Sequence, residues 1–262
     1  MDIVLHYREA GEGEPLILLH GNGGDGAYFQ EQMGPLSEHF RVIAIDTRGY
    51  GGSPRGSRPF TLAQFARDLE DFLEEEKIEK AHVLGFSDGG NIALLFALNS
   101  CARIDKLILN GANLFWDGLK PEVREEIEDT YDDAASELAD LEQEEADLNE
   151  ARGADPEAGG ITEEAFEEAY QELLTRRREL CVICDRMKLM IDEPDIRPEQ
   201  LAGITVPTLV IVGTDDMIDD AHSQLIADSL PDARMARIEG DHFIAMKEPA
   251  AFNAAVLDFL LS

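Results

Sequence analysis

Short apolar runs that alternate with helical patterns constrain this fold more than any other feature of the sequence. Strand-like runs lie at residues 3–7, 16–19, 42–45, 83–84, 107–109, 209–212 and 234–238. Runs of this kind are typical of strands buried on both faces of a parallel sheet. Helical patterns separate most of them, one of them capped by Thr61 and others at 91–102, 225–230 and 252–261. The alternation predicts an α/β fold with a mostly parallel, doubly wound sheet.

One segment interrupts this alternation and predicts a helical insertion. No strand pattern occurs at 114–200, whereas apolar residues recur at steps of three and four from Val123 to Leu141. Residues 152–160 predict a loop, after which Thr162 can cap a second helix. The segment carries 28 acidic and nine basic residues. The expected domains are a core at 1–113 and 201–262 and an acidic helical cap at 114–200.

The charge balance argues against several classes of partner. The chain has 262 residues, of which 55 are acidic and 22 basic, for a formal net charge of −33. Nucleic-acid binders need basic patches, and anionic membrane surfaces attract basic segments, so neither partner is expected. We expect a small-molecule substrate, with neutral or cationic compounds favoured. Adaptation to high salt is one hypothesis for the cause of the acidity. The sequence leaves the oligomeric state open.

Cysteine content and the start of the chain predict a cytoplasmic protein. Cys101, Cys181 and Cys184 give no even disulfide framework, and no basic segment followed by an apolar run suggests a signal peptide. No stretch approaches the ~18–20 apolar residues of a membrane span. The C-x-x-C spacing of Cys181 and Cys184 lacks a second pair or a nearby histidine, so we predict buried thiols and no metal.

A glycine-rich turn predicts the reactive group. The strand-like residues 81–84 lead into Gly85-Phe86-Ser87-Asp88-Gly89-Gly90, and a helical pattern follows. A G-x-S-x-G sequence between a strand and a helix is typical of a nucleophile elbow, where a tight turn lifts a serine hydroxyl above the sheet. Larger neighbours would collide in such a turn, and Gly85 and Gly89 avoid that. We predict that Ser87 is a nucleophile.

A serine hydroxyl needs a base and the base needs a carboxylate, and both have candidates. His242 follows the last strand-like run, at the edge where an open α/β sheet places its site. We predict that His242 is the base and that His20 and His82 serve structure. Asp215 and Asp216 follow the preceding run, and spacing alone leaves both open as the acid.

A second glycine-rich loop supplies candidates for an oxyanion hole. His20-Gly21-Asn22-Gly23-Gly24 follows the run at 16–19, and glycines there allow backbone N–H groups to approach a ligand closely. We predict that the backbone N–H groups of Asn22 and Asp88 hold the negative oxygen that forms during acyl transfer.

In this order, the motifs resemble those of the α/β-hydrolase fold, in particular its small, cap-bearing serine esterases. The resemblance covers essentially the whole chain outside the acidic insertion. It implies that the acid lies three residues after the strand-ending Gly213, which selects Asp216, and that no cofactor is needed. It also implies a helical cap after Leu109, although this insertion is unusually long and acidic. The motifs that carry the resemblance lie at 20–23, 46–53, 85–90, 213–216 and 240–243.

The expected activity is that of a serine hydrolase, which cleaves a carboxylic ester or related acyl compound through an acyl-enzyme. Similar families run other chemistry on similar residues, so C–C hydrolase, lactonase and proline-type aminopeptidase activity remain alternatives. A ligand-binding protein without turnover and acyl transfer to an alcohol also remain open. The expected substrate-pocket residues are Tyr28, Phe115, Trp116, Met217 and Phe243.

Overall fold

The computed structural model describes residues 2–153 and 160–262, which form a seven-stranded sheet with helices on both sides. The strands are β1 (Tyr7–Ala10), β2 (Pro15–Leu19), β3 (Arg41–Ile45), β4 (Ala81–Phe86), β5 (Ile104–Asn110), β6 (Thr208–Asp215) and β7 (Ala233–Asp241). Their order in the sheet is β1-β3-β2-β4-β5-β6-β7, and only β1 runs antiparallel to its neighbour. The predicted mostly parallel α/β sheet is confirmed.

The first strand begins later than its apolar pattern predicts. Ile3 and Leu5 are buried, which explains why residues 3–7 resemble a strand. The antiparallel ladder between β1 and β3 runs from Tyr7 opposite Ile45 to Ala10 opposite Val42. One further backbone bond, from the Asp46 N–H to the His6 carbonyl at 2.9 Å, follows the ladder, and Ile3 and Leu5 lie before it.

Most of the helices coincide with predicted patterns. Thr61 caps α2, since its hydroxyl accepts the N–H of Gln64 at 3.1 Å. α3 begins at Asp88, three residues before the predicted start, because the turn at Ser87 leads directly into it. The helices are α1 (Gln30–Ser37), α2 (Leu62–Glu75), α3 (Asp88–Ser100), α4 (Pro121–Gly153), α5 (Glu163–Asp192), α6 (Asp220–Ser229), α7 (Ile244–Lys247) and α8 (Pro249–Leu260). None in the described ranges is long and apolar enough to cross a membrane.

The chain divides into two compact units, of which the larger contains the sheet. It comprises Met1–Val123 and Asp192–Ser262, and the smaller one comprises Arg124–Ile191. The smaller unit is therefore shorter than the cap expected at 114–200. The flanks belong to the larger unit because they are bonded into it: the Leu114 N–H donates to His222 Nε2 at 2.9 Å, and the Ile196 N–H donates to the Leu114 carbonyl at 2.8 Å.

The smaller unit is built from α4 and α5, which pack through a small apolar cluster. Leu141, Leu173 and Leu180 are buried in that cluster with Ala134. Arg177 adds an ion pair from α5 to Glu145 on α4, at 2.6 Å. The two predicted helices are confirmed, and Thr162 accepts the N–H of Ala165 as a cap. Of the predicted loop at 152–160, residues 154–159 lie outside the described residues, and α4 extends to Gly153.

The prediction of buried thiols is wrong for Cys181, which is exposed. Cys184 and Cys101 are half-buried. Cys184 packs against the cluster that buries Leu180 on the same helix. Successive residues of an α-helix are rotated by about 100°, so the residue after Leu180 turns away from that face.

Candidate active site

Ser87 stands at a strained corner between β4 and α3. Its backbone has φ 53° and ψ −122°, a conformation that L-residues rarely adopt. The corner is held by hydrogen bonds: the Ser87 N–H donates to the Asn110 carbonyl at 2.8 Å, and the Ser87 carbonyl accepts the N–H of Gly90 at 2.8 Å. This is the geometry of a nucleophile elbow at the carboxyl end of the sheet's middle strand.

The glycines around the elbow are required by close backbone approach. A Cβ at Gly85 would lie 2.2 Å from the carbonyl oxygen of Gly89, and one at Gly89 would lie 2.1 Å from that of Leu19. A Cβ at Gly21 would lie 2.9 Å from the Cβ of Ser87. The predicted need for small neighbours at Gly85 and Gly89 is confirmed, and Gly21 brings the loop after β2 against the serine.

His242 follows β7 and is held by Asp216, which follows β6. The Nδ1 atom of His242 lies 2.6 Å from Oδ1 of Asp216, and each residue is only 4% exposed. The imidazole packs against Phe86, the residue before Ser87, with ring centroids 4.8 Å apart. Its Nε2 atom is buried and has no hydrogen-bond partner in the described part of the chain. Gly111 makes room for the ring, because a Cβ there would lie 2.6 Å from Cε1 of His242.

The two neighbouring aspartates after β6 have opposite surroundings. Asp216 Oδ1 also accepts the N–H of Ile218 at 3.1 Å, and its Oδ2 accepts the N–H of Gly213 at 3.2 Å. Burial would raise the pKa of Asp216, but the bond and charge of His242 and these N–H groups outweigh burial and hold the pKa below its ordinary value. The side chain of Asp215 is 88% exposed and pairs with Lys120 at 3.0 Å. Asp216, and not Asp215, therefore contacts the imidazole.

The two residues expected to supply backbone N–H groups are joined by their side chains. Asn22 Nδ2 donates to Asp88 Oδ2 at 3.0 Å. Asp88 is the first residue of α3, where the N–H groups of the first turn have no intrahelical acceptor. Burial raises the pKa of Asp88 to about 6, and the hydrogen bonds from Asn22 and Asn91 offset that effect only in part.

The five expected pocket residues lie in different surroundings. Met217 and Phe243 line a cleft of about 240 Å³ beside Asp216 and His242. Tyr28 stacks on Phe86 with centroids 4.3 Å apart. Its hydroxyl is buried and has no hydrogen-bond partner among residues 2–153 and 160–262. Phe115 contacts the edge of His222, and Trp116 begins a short 3-10 turn.

The remaining histidines and the turn after β3 hold the scaffold. His20 lies between the Gly21 carbonyl, 2.7 Å from Nδ1, and the Thr47 N–H, 3.0 Å from Nε2. His82 is buried and contacts the ring of Phe40 edge-on. Both match their predicted structural roles. In the turn at 46–53, Asp46 accepts the N–H groups of Gly26 and Gly52.

The sequence did not predict a role for several residues of this region. Asn91 and Asn113 are buried and bond to each other, and Gly111 lies against the imidazole. One signal was present in the sequence: Asn91 is a polar residue at the start of an otherwise apolar helix. Within the described ranges, no three His, Cys, Asp or Glu side chains form a group that could hold a metal ion.

With this fold and site, the chain belongs to the α/β-hydrolase-fold family. The family model for the alpha/beta hydrolase fold matches residues 14–152, which is more than half of the chain. A solved enol-lactonase from Burkholderia xenovorans LB400 superimposes with a TM-score of 0.74 at 28% identity, covering 99% of this chain and 97% of that one.

Curated relatives narrow the class to hydrolases. The putative carbamate hydrolase RutD of Caulobacter sp. (strain K31) is 32% identical and covers 98% of this chain, with 94% of the relative matched. A 2-hydroxy-6-oxononadienedioate/2-hydroxy-6-oxononatrienedioate hydrolase of Dechloromonas aromatica (strain RCB) is 28% identical, covering 99% of this chain and 91% of the relative. The chain is a hydrolase of this fold.

Proposed function

We propose that the protein is a serine hydrolase that cleaves a carboxylic ester or a related acyl compound. The observation that carries the proposal is the buried bond between His242 and Asp216. The His242 ring packs against Phe86, the residue before Ser87, which itself has the strained backbone of an elbow. In the proposed reaction Ser87 Oγ attacks the substrate carbonyl while His242 Nε2 takes its proton. The imidazolium then returns that proton to the leaving alkoxide, which leaves an acyl-enzyme. Water attacks the acyl-enzyme with the same histidine as base, and the acid and free Ser87 are released.

The surroundings of the base support this assignment. Nε2 of His242 is buried without a hydrogen-bond partner in the described part of the chain, so it is available to a serine proton. On the other nitrogen, Asp216 fixes the tautomer with Nδ1 protonated and stabilises the imidazolium once it forms. The backbone N–H groups of Asn22 and Asp88 are the proposed donors to the oxyanion. Losing one such donor typically costs ~10²–10³ in rate.

Charge and the named relatives narrow the substrate class. A carbamate or lactone carbonyl is open to the same attack as an ester, and relatives of this chain are named for both classes. The Dechloromonas relative is named for the hydrolysis of a dicarboxylate. The lining of the cleft beside His242 includes three further carboxylates, of Glu122, Asp215 and Asp241, and one ammonium group, of Lys120. This excess of negative charge disfavours a dianion. Esters, lactones and carbamates without a second negative charge are therefore the first candidates.

Covalent labelling tests the nucleophile directly. A fluorophosphonate probe should label the wild-type protein and fail to label Ser87→Ala, and 4-nitrophenyl acetate should be hydrolysed with a burst of nitrophenol. Ser37→Ala is the matched control, because Ser37 lies at the end of α1 and its hydroxyl donates to the nearby Gly34 carbonyl. Normal turnover by Ser87→Ala would remove the proposal. Labelling without turnover of an ester, carbamate, lactone or C–C substrate would instead indicate a ligand-binding protein.

Substrate charge should matter at low ionic strength. We expect kcat/KM for 4-nitrophenyl acetate to exceed that for the 4-nitrophenyl monoester of succinate, because the net charge of −33 repels the anion. The ratio should fall in 0.5 M NaCl, where the field is screened. Equal rates for the two esters at low salt would contradict this substrate preference.

A further inference from the structure

The residue after the proposed nucleophile carries a carboxylate that is sealed inside the larger unit. Asp88 is 7% exposed. Two neutral amides donate to it: Asn22 Nδ2 to Oδ2 at 3.0 Å and Asn91 Nδ2 to Oδ1 at 3.2 Å. Burying a carboxylate costs free energy unless a charged partner compensates it, and these two donors are neutral. The position of Asp88 next to Ser87 therefore suggests a role in the chemistry of the site.

One end of this arrangement lies in the glycine-rich loop after β2. Asn22 is flanked by Gly21 and Gly23, and Gly23 has φ +71°. The Gly24 N–H donates to the Gly21 carbonyl at 3.2 Å, so the loop closes as a turn around Asn22 and Gly23. The side-chain bond from Asn22 to Asp88 ties this loop to the start of α3 across 66 positions of sequence.

The other end is anchored in the buried start of α3. Asn91 is 1% exposed, and its Nδ2 also donates to Asn113 Oδ1 at 2.9 Å. Asn91 Oδ1 accepts the Asn113 N–H at 2.9 Å, so that amide is fixed at both ends. The four residues Asn22, Asp88, Asn91 and Asn113, which we call the amide chain, thus link the loop after β2 to the segment after β5.

We propose that Asp88 is a positioning residue, which clamps Asn22 so that the backbone N–H groups of residues 22 and 88 point to the place where the oxyanion forms. The inference rests on the proposed serine-hydrolase function. Oxyanion stabilisation depends on donors that are preorganised and do not rearrange during reaction. The amide chain adds side-chain hydrogen bonds to this turn and ties it to the start of α3.

An alanine variant of Asn22 tests how the hydrogen bond between Asn22 and Asp88 affects the reaction. Asn22→Ala removes the side-chain donor but keeps the backbone N–H. We expect kcat for 4-nitrophenyl acetate to fall at least tenfold with KM within about threefold, and affinity for an aryl trifluoromethyl ketone to fall in parallel with kcat/KM. Asn99→Ala is the control, since Asn99 lies on the exposed side of α3 and its side chain donates to the Leu95 carbonyl of the same helix.

A polarity swap separates positioning from general structural support. Asn22→Asp sets two carboxylates face to face, and Asp88→Asn sets two amides face to face, so each single variant should lose kcat. In the double variant Asn22→Asp/Asp88→Asn, the new carboxylate at position 22 accepts a hydrogen bond from the amide nitrogen at position 88. The amide oxygen at position 88 can still accept the hydrogen bond from Asn91 Nδ2. We expect the double variant to recover at least tenfold in kcat over the weaker single variant, with melting temperatures recorded for all of them.

The outcomes distinguish this inference from the function on which it rests. A wild-type protein that neither reacts with the fluorophosphonate probe nor turns over would overturn both. If the wild type reacts and turns over, then Asn22→Ala with unchanged kcat and inhibitor affinity overturns the clamp alone. A double variant that is no better than either single variant overturns it as well.

Discussion

At the scale of single residues, two adjacent aspartates show how surroundings assign chemistry. Asp216 is 4% exposed and bonded to His242, whereas the Asp215 side chain is 88% exposed. We expect Asp216→Asn to lower kcat by about 10⁴, because an amide favours the wrong imidazole tautomer. Asp215→Asn breaks only the ion pair with Lys120 and should lower kcat less than tenfold. Ester hydrolysis by the two purified variants checks this, and a larger loss for Asp215→Asn would reverse the assignment.

We expect the ionised carboxylate of Asp88 to lower the free energy of unfolding at neutral pH, even though it supports the proposed reaction. Burial raises its pKa from 3.8 to about 6, so the native state binds this proton more tightly than the unfolded state does. Stability from the neutral form is complete below pH 3.8 and is lost as pH rises through 6. Asp88→Asn, which stays neutral, should therefore raise the free energy of unfolding at pH 8 by up to about 3 kcal/mol, and by roughly half as much at pH 5.

Urea unfolding at the two pH values measures this difference. Asp228→Asn is the control, because Asp228 is an exposed aspartate on α6 that accepts a hydrogen bond from Gln224 of the same helix. A gain in stability at pH 8 that accompanies a loss of kcat would identify Asp88 as a site where function is kept at the expense of stability. An equal or larger gain at pH 5 would contradict the raised pKa.

At the scale of elements, α1 illustrates what sequence patterns miss. Its residues, Gln30–Ser37, include the helix-weakening pair Gly34 and Pro35 and have little apolar periodicity. Distant contacts hold it instead: Gln32 Nε2 donates to the Ala245 carbonyl at 2.6 Å, and Asn253 Nδ2 donates to the Glu31 carbonyl at 3.0 Å. Such contacts between residues over 200 positions apart are invisible in a local pattern, so α1 was not predicted.

The weak local preference of α1 leads to a prediction. Gly34 has open space around its Cα, with nothing within 4 Å of an added Cβ. Gly34→Ala should raise the free energy of unfolding by ~0.5–1 kcal/mol through helix propensity and a less flexible unfolded chain. Gly89→Ala is the contrasting variant, because its Cβ would lie 2.1 Å from a backbone oxygen. Chemical denaturation measures both, and a destabilised Gly34→Ala would show that helix propensity does not act at this position.

The strands and the elbow were predictable because their constraints are local. Doubly buried strands leave apolar runs, and the steric limits of the elbow leave Gly85 and Gly89 around Ser87. The amide chain was not predictable in the same way. Asn22 and Asn113 bond to α3 only after the sheet brings three separate chain ends to one edge. The choice of Asp216 over Asp215 came from the resemblance, since the pattern of four aspartates at 215–220 contains no burial signal of its own.

At the scale of the whole molecule, we expect the net charge of −33 to lower the stability of the folded state. Like charges held in a compact chain repel one another, and salt screens that repulsion over about 10 Å at 0.1 M and about 3 Å at 1 M. We expect the melting temperature at pH 7.5 to rise between 0.05 and 1 M NaCl. The gain should shrink as pH is lowered toward the isoelectric point near 4.3, because the net charge falls. Melting temperatures that stay constant across this salt range at pH 7.5 would rule out both the repulsion and the hypothesis of salt adaptation.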